Sequence, residues 1–224
     1  MKFTTDSVED AVQVVFEYIA QELRAGHHVL WLTSGGSCIA PQVEVMTQLR
    51  EVLHDKIVYL TVLPVDERFG AIRHADSNTE QMRKAGFIAH SAAWHDVLSR
   101  NMPLQETVLY YSELTAEAFA EANVVVATLG MGTDGHTAGL LPGSPAVTDT
   151  VSTVVGYEWS DYTRMTLGVS TLLKIPTAFL LAYGEGKKQA LERLRQNDEP
   201  VEQLPAKILY DIADVTVYND YIET

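Results

Sequence analysis

The sequence predicts an α/β protein: a Rossmann-like, mostly parallel sheet with helices on both faces. Three observations carry this. Short, nearly continuous apolar runs read as strands buried on both sides. Between them lie stretches whose apolar residues recur at helical spacing. The two kinds of segment alternate, the order a parallel sheet needs because each crossover must bring the chain back.

The elements follow in order. Residues 7–23 form a helix with Val8, Ala11, Val12, Val15, Ile19 and Leu23 on one face. Asp6 or Ser7 can cap its start and Gly26 its end. Val29-Leu30-Trp31-Leu32 is a strand, Ser34-Gly35-Gly36-Ser37 a loop, and residues 42–53 a second helix. Residues 57–65 read as a strand, 78–84 as a short helix, and 104–122 as helical, in one or two pieces. Val124-Val125-Val126-Ala127-Thr128-Leu129 is the most strand-like run in the chain. Further strands are expected at 165–169, 178–182 and 215–218, with a helix at 187–195. Residues 143–162 lack a period and read as a long loop.

The 224 residues fit a single domain spanning 1–224, against a typical size of about 150 residues. The net charge of −14 argues against nucleic acid, whose phosphates demand clustered Lys and Arg. It also means that an anionic ligand would need cations concentrated locally. The single cysteine, Cys38, permits no internal disulfide and suits a reducing, cytoplasmic setting. The start of the chain lacks the basic-then-apolar pattern of a signal peptide, and no membrane-spanning apolar stretch is present.

Three loops follow strands, where parallel sheets bind ligands. In Thr33-Ser34-Gly35-Gly36-Ser37, two glycines let the backbone approach a ligand, and a following helix N-terminus would favour an anion. The loop can equally be a bare tight turn. In Asp66-Glu67-Arg68, the arginine can fork onto a phosphate or belong to a surface ion cluster. In Gly130-Met131-Gly132-Thr133-Asp134-Gly135-His136, a histidine stands two residues from a carboxylate, directly after the strongest strand. Histidine is suited to general-base work near neutral pH. No Gly-Lys-Ser/Thr follows, so this is not a Walker loop, and no later acidic ribose partner supports a dinucleotide fingerprint. No zinc spacing and no Gly-x-Ser-x-Gly elbow occur. His27 and His28 read as solvent-facing turn residues. Cys38 reads as a small packed residue, with a lesser possibility of activation at the helix start.

Together these loops resemble the 6-phosphogluconolactonases, relatives of glucosamine-6-phosphate deaminase. The resemblance rests on Ser34-Gly35-Gly36-Ser37, on Asp66-Glu67-Arg68 with Asp76-Ser77-Asn78, and on Gly130 to His136 with Thr137-Ala138 and Leu141-Pro142-Gly143. Arg164-Met165-Thr166-Leu167 and Gly184-Glu185-Gly186-Lys187 with Leu191 extend it over residues 8–210. It implies one α/β domain of the deaminase/lactonase type, no cofactor and no required metal. It implies hydrolysis of 6-phospho-D-glucono-1,5-lactone to 6-phosphogluconate in the oxidative pentose phosphate pathway, by a monomer or small homo-oligomer. His136 is then the general base, with Asp134 shaping the site. Gly35, Gly36, Ser37, Asp66, Arg68, Asn78, Gly132, Arg164 and Lys187 are then the substrate contacts.

The chain departs from the family pattern in places. Cys38-Ile39 replaces Thr-Pro, and Phe69-Gly70-Ala71-Ile72 lacks the expected prolines. Ala138-Gly139-Leu140-Leu141 replaces Ala-Ser-Leu-Phe, and the 78–124 segment is short. The related deaminases need a glutamate five residues after the histidine and a tyrosine at the arginine position. Here those positions hold Leu141 and Arg68, which ranks the deaminase below the lactonase. A non-catalytic sugar-phosphate-binding protein of this fold is a third expectation; the retained His136 argues against it.

Overall fold

A computed structural model describes residues 1–223. In chain order the elements are β1 (Lys2–Thr4), α1 (Val8–Arg24), β2 (Val29–Thr33), α2 (Ile39–Leu53), β3 (Leu60–Pro64), β4 (Asp66–Arg68) and α3 (Asn78–Lys84). There follow β5 (Ala93–Trp94), α4 (Leu104–Glu121), β6 (Val124–Gly130), α5 (Pro145–Thr148) and β7 (Val154–Glu158). The chain closes with β8 (Thr163–Leu167), α6 (Val169–Leu172), β9 (Thr177–Ala182), α7 (Lys188–Gln196) and β10 (Asp214–Asn219).

Helix α1 starts where the sequence places it. Ser7 Oγ accepts from Asp10 N–H at 3.1 Å, and Asp10 returns the bond to Ser7 N–H at 3.2 Å, a capping box. Its face of Ala11, Val12, Val15, Phe16, Ile19, Ala20 and Leu23 is buried.

Seven strands form one sheet in the order β1-β10-β9-β6-β2-β3-β5, and every pairing is parallel. Side chains of β2 alternate between its faces. Leu30 and Leu32 join a core with Tyr111 and Ala118 of α4 and Leu191 and Leu194 of α7. Val29 and Trp31 join a second core with the buried faces of α1 and α2. Such two-sided burial explains why the strands read as continuous apolar runs.

From β2 the chain winds outward to β3 and β5, then returns to β6 on the other side and winds away through β9 and β10. The winding reverses between β2 and β6. A crevice opens at such a point, beyond the carboxyl ends of the strands. The Thr33–Thr128 register sets those ends side by side.

A second sheet, β4-β8-β7, is antiparallel. It corrects two expectations. The strand expected at 165–169 lies at Thr163–Leu167 and belongs to this sheet. The expected 143–162 loop contains α5 and β7, and β7 pairs along its whole length with β8. Residues 104–122 form one helix, and the strand expected from 57 begins at Leu60 because 54–59 wind into a 3₁₀ turn. Among the described residues no helix is long and apolar enough to cross a membrane.

Candidate active site

The site begins where the chain changes sheets. Pro64 ends β3, and at Val65 the chain leaves the parallel sheet for the antiparallel one. Val65 N–H still donates to Thr33 C=O at 2.8 Å, and its own C=O accepts from Leu167 N–H at 2.8 Å, so one residue joins both sheets. The alternation of β4 then sends Asp66 and Arg68 to one face and Glu67 to the other.

Antiparallel register sets Arg68 opposite Arg164 and Asp66 opposite Thr166. Like charges directly across a ladder destabilise it. Here each guanidinium has help: Arg164 Nη2 donates to Asp161 at 2.7 Å, and Arg68 Nη1 donates to Asp76 C=O at 3.1 Å. Tyr162 stands between them, its ring 5.5 Å from Arg68 and 5.4 Å from Arg164. The Nε donors of both arginines are nevertheless buried without a hydrogen-bond partner, Arg68 Nε lying 3.9 Å from the Asp66 carboxylate. Two unsatisfied cationic donors on one cavity wall fit an anionic ligand. Asp161 feels the same charge: burial pushes its carboxyl up, and Arg164 more than offsets this, leaving it below its ordinary value.

Glu67, on the opposite face, is fully buried and builds the next wall. It accepts from the backbone N–H groups of Arg68 (2.7 Å), Asn78 (2.7 Å) and Thr79 (3.0 Å) and from Ser77 Oγ (3.0 Å). Burial raises its pKa, opposed by these backbone donors. The carboxyl group therefore anchors the start of α3 and with it Asn78. Asn78 Nδ2 donates to Asp66 C=O at 3.0 Å and to its carboxylate at 3.2 Å. The same amide presses on the glycine-serine loop: a Cβ at Gly35 would lie 1.9 Å from Asn78 Oδ1. Gly35 thus permits a close approach. In the turn after Arg68, His74 Nε2 lies 2.8 Å from Arg68 C=O.

The third wall is the loop after β6. His136 Nδ1 lies 2.7 Å from Asp134 Oδ1, which also accepts from His136 N–H at 3.1 Å. A carboxylate only accepts, so Nδ1 carries the proton of this contact, and in the neutral ring Nε2 is the nitrogen that keeps a lone pair. Burial pushes Asp134 up, but the hydrogen bond and charge of His136 outweigh it and bring the carboxyl down to about 2. Gly132 makes the pair possible: a Cβ there would meet His136 Nδ1 at 2.1 Å and Asp134 Oδ1 at 2.4 Å. Thr166 on β8 accepts from Gly139 N–H at 3.0 Å, tying the far end of this loop to the small sheet. Lys187, in a 3₁₀ turn after β9, donates to Met131 C=O.

These walls enclose a cavity of about 240 Å³ at the winding reversal. Gly35, Gly36, Ser37, Asp66, Arg68, Asn78, Gly132, His136, Arg164 and Lys187 all line it, with Ser34, Gly130, Met131 and Ala138. Asp134 stands behind His136. The three cations gather at one place on an acidic chain. Cys38 is the small packed residue expected: it is fully buried, and burial pushes its thiol up to about 12, with Lys187 opposing the shift and Asp66 adding to it. A protonated, inaccessible thiol is no nucleophile. Among the described residues no group of three or more His, Cys, Asp or Glu could hold a metal. Sequence reasoning missed Tyr162 and Asp161, which sit on a turn with no motif, and Arg193, which touches Asp134 from α7.

An open α/β sheet with a histidine–carboxylate pair facing a cationic cleft defines an enzyme of ligand-at-the-switch-point type. The family model described as glucosamine-6-phosphate isomerases/6-phosphogluconolactonase matches residues 4–218, and the chain is an enzyme belonging to that family. It is 28% identical to a glucosamine-6-phosphate deaminase of Lactobacillus johnsonii, over 98% of this chain and 93% of that one. It is 27% identical to a 6-phosphogluconolactonase of Helicobacter pylori, over 87% of this chain and 84% of that one. A 6-phosphogluconolactonase from Shewanella baltica shares the fold with a TM-score of 0.79 at 22% identity, covering 97% of this chain and 96% of its own. A monomeric glucosamine-6-phosphate deaminase superposes with a TM-score of 0.78 at 20% identity, covering 98% and 97%.

Proposed function

We propose that this chain hydrolyses 6-phospho-D-glucono-1,5-lactone to 6-phosphogluconate, in the cytoplasm and within the oxidative pentose phosphate pathway. Both activities occur among its relatives, so the choice rests on the site. One observation carries it: the position five residues after His136, where the related deaminases need a glutamate, holds an apolar side chain. Leu141, five residues on, is 7% exposed and packed in the apolar core. A proton relay cannot run through leucine, whereas a base acting on water needs no relay.

The phosphate is held by Arg68, Arg164 and Lys187, with N–H groups of the glycine-serine loop at the turn before α2. Anchoring the far end of the substrate sets the lactone carbonyl over His136, which supplies proximity. Nε2 of His136 takes a proton from water as the oxygen bonds to C1. Asp134 stabilises the imidazolium that forms. The tetrahedral oxyanion collapses, the C1–ring-oxygen bond breaks, and the imidazolium returns its proton to the leaving oxygen. Water is consumed, and the ring-opened acid is the sole product. A positioned base of this kind contributes roughly 10²–10⁴-fold.

The test uses two substrates. Freshly made 6-phosphogluconolactone is expected to lose its ring well above the spontaneous rate, while glucosamine 6-phosphate releases no ammonia. Ammonia release without lactone hydrolysis overturns the proposal.

A further inference from the structure

The loop that carries Asp134 and His136 has a weak point between them. Gly135 has a φ of +90°, and glycine turns more freely than any other residue. Rotation there would carry the carboxylate away from the imidazole. The two peptide carbonyls beside this hinge are both tied to a region outside the cleft. Gly135 C=O accepts from Ala206 N–H at 3.0 Å. Asp134 C=O accepts from Arg193 Nη1 at 3.1 Å.

Arg193 is itself fixed. Glu199 takes its Nε and Nη2 in a two-pronged ion pair, both bonds at 2.6 Å, and Gln203 C=O accepts from Nη2 at 3.1 Å. Asn197, with a left-handed φ of 57° at the end of α7, turns the chain so that Glu199 faces back onto Arg193. Leu204, in the same segment, fills the space that a side chain on Gly135 would take, 2.3 Å from its Cβ position. A planar guanidinium can hold a carboxylate with one edge and a carbonyl with the other, which an ammonium cannot do.

We infer that Arg193, clamped by Glu199, is a positioning residue that locks the Asp134–Gly135 peptide and so keeps the Asp134–His136 pair in its working geometry. It touches no substrate and acts through Asp134. The inference takes lactone hydrolysis as the reaction; its spectroscopic readout does not.

The experiment compares wild type, Arg193→Ala, Arg193→Lys and Glu199→Gln, with folding checked by thermal melting. In Arg193→Ala, kcat is expected to fall about 10- to 100-fold, the size of loss that ångström-scale misplacement causes, with KM within about twofold. Arg193→Lys recovers part of the loss, and Glu199→Gln shows a smaller fall. Proton NMR supplies the second readout. The downfield Nδ1–H signal of His136, assigned by its absence in His136→Ala, is sharp in wild type and lost or broadened in Arg193→Ala. If Arg193→Ala does not fold, Arg193→Lys and Glu199→Gln carry the same two readouts. Unchanged kcat together with an unchanged NMR signal in the folded variants overturns the inference. If wild type hydrolyses no lactone, the functional proposal fails alone, and the NMR signal still decides the brace.

Discussion

The two sheets of this protein do different work with different chemistry. The seven-stranded parallel sheet is apolar on both faces, from Leu30 and Trp31 in β2 to Phe179 and Leu180 in β9. It contributes loops to the cleft from its strand ends. The three-stranded antiparallel sheet contributes side chains from within its ladder. Asp66, Arg68 and Arg164 stand on paired positions of β4 and β8, and Thr166 braces the histidine loop. Two arginines face each other across that ladder, an arrangement costly to folding and useful for holding an anion. The large sheet is built for stability, and the small one accepts local instability to concentrate charge.

Substitutions in each sheet should therefore separate stability from binding. Leu180→Ala, at a fully buried position of β9, is expected to cost about 2–5 kcal/mol in urea unfolding while leaving KM of the surviving folded protein near its wild-type value. Arg164→Ala is expected to do the reverse. It loses a charge-assisted contact to phosphate, raising KM roughly 30- to 100-fold, about 2–3 kcal/mol. Its unfolding free energy shifts by no more than about 1 kcal/mol, because Asp161 is half exposed and a like-charged neighbour is relieved. If Arg164→Ala unfolds the protein as deeply as Leu180→Ala, the contrast between the sheets is wrong.

Smaller effects come from the titrating groups. The Asp134 carboxyl is depressed from 3.8 to about 2. A depressed acid stabilises the fold above its ordinary value and loses that contribution as pH falls toward the folded value. The loop should therefore keep its Asp134–His136 bond down to about pH 3 and lose it near pH 2, read as the carboxyl ¹³C shift of Asp134. A midpoint at or above 4 would show that the pair is not formed. Cys38, raised to about 12, is expected to resist iodoacetamide at pH 8 in the native protein and to react on unfolding. Rapid native labelling would contradict its place in the core.

The same contrast explains what could be read from sequence. The parallel strands are continuous apolar runs, so β2, β6 and β9 are visible one at a time. The histidine loop is visible because glycines crowd a histidine after the strongest strand, and Gly132 is glycine for that reason: a side chain would collide with the pair. Of the small sheet only β8 is legible as a strand. Strand β4 is three residues long and polar, and β7 carries Gly156 and an exposed Glu158, so neither announces itself locally. Its existence depends on register with β8, a property of two distant segments. Arg193 and Glu199 escape for a similar reason. Arg193 is an ordinary last-turn charge and Glu199 an ordinary loop charge in sequence, and the Asn197 turn brings them together behind Asp134.

Replacing His136 by alanine tests the account most directly, with lactone turnover and 6-phosphogluconate binding measured on the same preparation. Turnover is expected to fall by roughly 10²–10⁴-fold, with 6-phosphogluconate still bound within a few-fold of wild type, because the cations that hold its phosphate are untouched. Full turnover in His136→Ala would mean that the Asp134–His136 pair does not activate the water.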